Sequence, residues 1–177
     1  MHVNCEIAFL CYNILNISLI KLAMNKGVYN LGVVGYCPPS CFDEDEARRM
    51  VREGFDKFAA QHPDLEINIV SGLTNVGVLK IAYEEATERG WKTTGIACEK
   101  AQNYELFPVD EQEIVGKNWG DESARFVEII DGILRVGGGI QSKKEVNAVI
   151  EKGGDVIEYE LALIQDVVKN SVDKIIK

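Results

Sequence analysis

The chain has 177 residues, 46% of them hydrophobic and 27% charged, with a formal net charge of −9. Those values describe one globular domain large enough for a core of its own. The acidic balance argues against nucleic acid and against an anionic membrane surface held by the overall field, while leaving room for a local pocket that takes a small phosphate. Five cysteines, odd in number and irregularly spaced, make a poor disulfide framework and fit a reducing cytoplasm.

Residues 7–24 are mostly apolar but carry Asn13, Asn16, Ser18 and Lys21. The stretch lacks the basic start and small-residue cleavage site of a signal peptide, and it is borderline in length for a membrane span. An extra amphipathic helix, a weak anchor, and sequence upstream of a start at Met24 all stay open. Residues 1–24 are therefore set apart as an apolar extension, and residues 25–177 are read as a single domain.

From there the elements follow in alternation. Residues 31–36 read as a short buried strand, followed by a loop from Cys37 to Cys41 that contains Ser40. Asp43 is a candidate N-cap, with Glu44, Asp45 and Glu46 suited to the first turn of a helix that runs to about Gln61. A second strand over residues 67–70 leads into the glycine-containing loop 71–77, which holds Gly72, Asn75 and Gly77. A helix over residues 76–89 stops at Gly90, and residues 93–98 form a third strand. Residues 100–109 read as a loop with two aromatics, residues 113–116 as a fourth strand, and Asp121 opens a helix to Ile130. Residues 133–136 are a short apolar run, read as a buried strand. Gly137, Gly138 and Gly139 break it, and residues 140–150 carry apolar residues at helical spacing. Residues 156–159 read as a last strand and residues 161–176 as a closing helix.

Strands alternating with helices imply a three-layer α/β fold with a mostly parallel sheet covered on both faces. Ligands of such sheets sit beyond the carboxyl ends of the strands. That rule gathers Gly35 to Ser40, the loop 71–77, residues 98–107 and residues 137–142 at one edge. A glycine turn between a strand and a helix lets a ligand approach the backbone, and the first amides of the helix point at an anion. A tight strand-to-helix turn without a ligand reads equally well from the glycines alone.

Two segments narrow the reading. SGLTNVGVLKIAYEEATERGWKTTGIA resembles the first half of the LONELY GUY family, also labelled lysine-decarboxylase-like, within the broader SLOG superfamily. In that family a glycine-rich loop leads a helix and then a strand ending in Gly-Ile. Gly72, Asn75, Val76, Gly77, Gly95 and Ile96 fit that pattern. GGGIQSKKE resembles the family's P-G-G-x-G-T-x-x-E, with Gly138 and Gly139 on the glycine pair, Ser142 on the threonine and Glu145 on the glutamate. Gly137 replaces the proline and Gln141 a glycine. The family's R-K-x-x-M arginine falls on Glu122 and its methionine on Phe126, while Arg125 lies one turn along the same helix face.

The resemblance implies a Rossmann-like fold, a nucleotide or related phosphorylated ligand, and a homodimer. It also implies cleavage of the N-glycosidic bond of a nucleoside 5′-monophosphate, with a non-catalytic nucleotide sensor or carrier as the alternative. Such cleavage builds positive charge on the ribose, which a carboxylate can stabilise. Glu145, with Arg125 as a bidentate phosphate ligand, is the candidate catalytic pair. The competing readings are a carboxylate that merely complements its helix end and an arginine paired with Asp121 or Glu128. Gly35, Ser40, Gly72, Asn75, Gly77, Gly137, Gly138, Gly139, Gln141 and Ser142 are the candidate ligand-binding residues. Tyr104, Phe107 and Trp119 can stack on a base or pack as core and lid. No cofactor is expected, and Cys37 and Cys41 without a nearby histidine give no metal site. His62, before a proline at a helix end, reads as a surface residue.

Overall fold

The computed structural model describes residues 27–165. The apolar extension and nearly all of the expected closing helix lie outside them. Strand β1 (Val28–Gly35) precedes α1 (Glu44–Gln61), β2 (Glu66–Ser71), α2 (Gly77–Glu88) and β3 (Lys92–Ala97). A 3₁₀ turn (Glu99–Asn103), β4 (Glu111–Ile114), α3 (Ser123–Ile129), β5 (Gly132–Val136), α4 (Ile140–Glu151) and β6 (Asp155–Tyr159) complete the order.

The strands form one sheet in the order β4-β3-β2-β1-β5-β6, with every neighbouring pair parallel. This is a three-layer, Rossmann-like α/β fold, and the sheet is wholly rather than mostly parallel among the described residues. On one face Tyr29, Leu31 and Val33 of β1 pack with Ala47, Val51, Phe55 and Phe58 of α1 and Val78, Ile81 and Tyr83 of α2. On the other, Val34, Val70, Ile96 and Ile133 meet Phe126 of α3 and Val146 and Val149 of α4. Period-two burial on central strands and period-3.6 burial on helices give each face its layer. Phe55 and Phe58 are fully buried, each contributing about 2–3 kcal/mol by area.

Three elements start two or more residues away from the sequence reading, for physical reasons. The first strand starts at Val28 rather than Leu31, because Asn30 is not a solvated loop residue. Its side chain donates to the Ile129 carbonyl and accepts from Asn68, a polar rung laid across β1 and β2. β4 begins at Glu111, two residues early, since an edge strand tolerates polar residues on both faces. α3 starts at Ser123 because the Asp121 carboxylate turns back to accept from the Lys117 and Asn118 amides, both at 2.9 Å. His62 is also not a free surface residue: its ring stacks on Tyr29 at 4.0 Å and sits 3.0 Å from Asp155.

Candidate functional site

The chain leaves β1 for α1 and β2 on one side, and β5 returns on the other side of β1. That reversal opens a crevice at the carboxyl ends of β1 and β5, the place where open parallel sheets hold ligands. An inner cavity of about 220 Å³ occupies it, lined by Val33, Val34 and Gly35 of β1 and by Gln141, Ser142 and Glu145 of α4, among others. An outer cavity of about 460 Å³ adjoins it, bounded by Cys37, Pro38, Leu73, Val76, Tyr104 and Trp119 in particular. Gly72, Leu79, Ile96 and Glu122 belong to both walls.

The turn into α4 builds the inner wall. Gly137 and Gly138 have φ of +62° and +93°, in the left-handed region that favours glycine. A Cβ on Gly137 would meet the Tyr36 ring at 2.4 Å, and one on Gly138 the Ser142 Oγ at 2.5 Å. Packing of the turn against its neighbours therefore accounts for both glycines, and neither lines a cavity. Gly139 is different: it is exposed, has ordinary φ, and a Cβ there meets nothing within 4 Å. Beneath the turn, Arg135 is only 2% exposed. Its Nη1 donates to the Gly137 carbonyl at 2.7 Å, while Nε reaches Glu158 at 2.5 Å and Nη2 pairs with Glu160. A buried cation thus braces the glycine turn from below. No side chain caps α4, so its first amides are directed outward at the end of the helix that attracts anions.

Gln141, Ser142 and Glu145 share one helix face by i,i+3 and i,i+4 spacing, and α4 presents all three to the inner cavity. The Glu145 Oε1 accepts from the Ser123 hydroxyl at 2.7 Å and from Gln141 Nε2 at 3.2 Å. Burial pushes the Glu145 carboxyl above its ordinary range; the two hydrogen bonds pull it down, and nearby Glu122 pushes it up.

The other candidates separate. Gly35 and Gly72 line the inner cavity. Gly77, φ +65°, packs against the Tyr36 carbonyl and Cys37, and the adjacent Val78 amide donates to the same Tyr36 oxygen at 2.9 Å. Asn75 ties its loop to the next one, with Nδ2 on Glu105 at 2.7 Å, while its Oδ1 is buried without a partner among the described residues. Ser40 closes a turn onto the Cys37 carbonyl at 3.1 Å and lines neither cavity. Arg125 is not brought to Glu145's cavity: its guanidinium holds Glu113 at 3.1 Å and Glu128 at 3.0 Å. Among the described residues, no lysine, arginine or histidine lines either cavity. Of the three aromatics, Phe107 packs on Tyr83 at 5.1 Å, whereas Tyr104 and Trp119 converge on the outer cavity.

Sequence reasoning missed Ser123 and Arg135. Ser123 reaches Glu145 from another helix, a pairing with no local signal. Arg135 did carry one: a lone charge inside an apolar strand needs carboxylates beside it, and Glu158 in the next strand and Glu160 just past its end supply them.

No protein-family model and no curated protein matches the chain. Solved structures do resemble it. The molybdenum cofactor carrier protein of Chlamydomonas reinhardtii is similar at 19% identity over 76% of each chain, with a TM-score of 0.58. The molybdenum cofactor binding protein of the phototrophic bacterium Rippkaea orientalis is similar at 23% identity, over 76% of this chain and 77% of that one, with a TM-score of 0.55. At such identities the likeness establishes the shared fold.

Proposed function

We propose that this protein binds a nucleotide or related phosphorylated small molecule across the two cavities and holds it without cleaving it. The carrying observation is the inner cavity itself. It lies at the sheet's switch point, beside the uncapped start of α4, with Ser142 in its wall. Backbone amides at a helix start take a phosphate without a dedicated cation. The proposed occupant is a ligand with a phosphate and a ring system; nucleoside 5′-monophosphates are the simplest examples. The similarity in fold to molybdenum cofactor carriers supports a carrier role. Arg125, engaged with Glu113 and Glu128 outside the cavities, and Glu122, at the resembled family's arginine position, also favour a binder over a hydrolase.

The hydrolase reading keeps one specific support. Glu145 presents a half-buried carboxyl, held by Ser123 and Gln141, to the same cavity, which is the group that N-glycosidic cleavage requires. Calorimetric titration with a panel of nucleoside 5′-monophosphates, followed by chromatography for free base, separates the two. Saturable binding with no base released is the expected result. Free base produced catalytically would replace the carrier reading with the hydrolase, and no binding to any member would remove nucleotides as ligands.

The resemblance to a pairing family also supports a homodimer, which sedimentation would register as twice the chain mass. Free Cys37, Cys41 and Cys98 suit a reducing compartment such as the cytoplasm.

A further inference from the structure

Tyr104 and Trp119 are large aromatics, 61% and 52% exposed, whose apolar surface stands in water. They come from separate loops, and both loops are fastened. The Tyr104 loop is joined to the loop after β2 by Asn75 N to the Glu105 carbonyl, Phe107 N to the Leu73 carbonyl and a bridge between Thr74 and Leu106. The Trp119 turn is held by the Asp121 carboxylate on two amides and by Glu122 Oε2 on the Gly120 amide at 3.0 Å. The rings meet at 5.8 Å between centroids, tilted by 59°, at the wall of the outer cavity. Leu73, Leu79, Ile96 and Ala97 give that cavity an apolar base, and among the described residues the one charged group in its wall is Glu122.

We infer that the outer cavity is a subsite for a planar nitrogen heterocycle, bordered by the packed Tyr104–Trp119 pair, whose N–H edge donates to the Glu122 carboxylate. The inference rests on the binding reading above and deepens it. A preorganised aromatic wall stabilises a π-face at little ordering cost. A carboxylate at the ring's edge accepts hydrogen bonds and donates none. It therefore selects a ring whose edge presents adjacent ring N–H and amino donors, as guanine does, over adenine, whose ring nitrogens at that edge are acceptors. Glu122 lies on the wall shared by the two cavities, so the ring is the outer end of the ligand and the phosphate the inner end. In this arrangement the residue standing at the resembled family's arginine position reads the ring instead of the phosphate.

The test uses the full chain with Trp91→Phe, which leaves Trp119 as the single tryptophan of the two. Guanosine 5′-monophosphate is expected to quench Trp119 emission and to bind at least tenfold more tightly than adenosine 5′-monophosphate, while ribose 5-phosphate leaves the emission unchanged. Trp119→Ala is expected to weaken guanosine 5′-monophosphate by about 5- to 150-fold, the span of one base–aromatic stack, and to leave ribose 5-phosphate within twofold. Glu122→Gln is expected to bring the two nucleotides to within threefold of each other. If guanosine 5′-monophosphate binds but Trp119→Ala and Tyr104→Ala match the parent, the ring subsite is wrong and the binding reading stands. If the two nucleotides bind alike and Glu122→Gln changes neither, Glu122 does not read the ring. If the parent binds neither nucleotide nor ribose 5-phosphate, both readings fall together.

Discussion

The α1–α2 face and the carboxyl edge of the sheet treat charge in opposite ways. On the face, each arginine is matched: Arg48 to Glu84 and Glu85, Arg49 to Glu46 and Glu53, Arg52 to Glu85 and Glu88, Arg89 to Asp56. The start of α1 is capped by Asp43, which accepts from the Asp45 and Glu46 amides at 3.0 and 3.1 Å. At the edge, α2 and α4 begin without side-chain caps, and two carboxylates line a cavity with no cation in its wall among the described residues. The face uses its polar groups internally. The edge keeps backbone donors and side-chain acceptors directed at open space, which is where a ligand can complete them.

Breaking the edge should remove function and spare the fold. Gly138→Val places a branched side chain at φ +93°, with its Cβ clashing with Ser142 Oγ at 2.5 Å. The turn must shift, taking Ser142 out of the inner wall, and binding of nucleoside monophosphates is expected to fall by about 100-fold or more, roughly 2.7 kcal/mol. Circular dichroism should still report a folded α/β protein. Unchanged affinity in a folded variant would remove the glycine turn from the site.

Breaking the face should do the reverse. Glu85 is 2% exposed and receives both Arg48 at 2.8 Å and Arg52 at 2.7 Å. Burial pushes its carboxyl up, the two guanidiniums outweigh that, and the net direction is down. A lowered folded pKa means stability present above the unfolded carboxyl range and lost as pH falls through the folded value. Glu85→Ala is expected to cost about 2–3 kcal/mol in urea unfolding, below the 3–5 of a fully buried pair because both arginines reach solvent. Ligand affinity should stay within twofold. A large loss of binding at unchanged stability would erase the division between the two regions.

The smallest effect sharpens the comparison at Glu145. Burial raises its carboxyl, so the folded state favours the protonated form, and ionisation costs stability as pH rises from the ordinary carboxyl range upward. Facing a bound phosphate, the ionised form also repels. Wild type should therefore bind more tightly as pH falls from 8 toward the raised value, whereas Glu145→Gln should lose that slope. At pH 8 the variant should bind within about tenfold of wild type, roughly 1.4 kcal/mol, on the tighter side. A variant retaining the full wild-type pH slope would assign the titration elsewhere.

The sequence conveyed the fold well because its signals are local. Asp43 before three acids marked the start of α1, and the run from Ile133 to Ile150 marked strand, turn and helix. Within the candidate site, Gln141, Ser142 and Glu145 came from the family resemblance, and helical spacing then put all three on one face of α4 beside the inner cavity. The site was not legible where partners come from elsewhere in the chain. Arg125 is held by Glu113 of β4 as well as by Glu128 one turn away, Ser123 meets Glu145 from another helix, and Arg135 reaches across to β6. No periodicity reports such pairs.

The most direct test of the central claim is an amide nitrogen–proton correlation spectrum of the full chain titrated with guanosine 5′-monophosphate. Binding at the start of α4 predicts saturable shifts at the Ile140, Gln141 and Ser142 amides, with the amides of α1 unmoved. Shifts confined to other elements, or none at millimolar ligand, would contradict the assignment of the phosphate to this helix end.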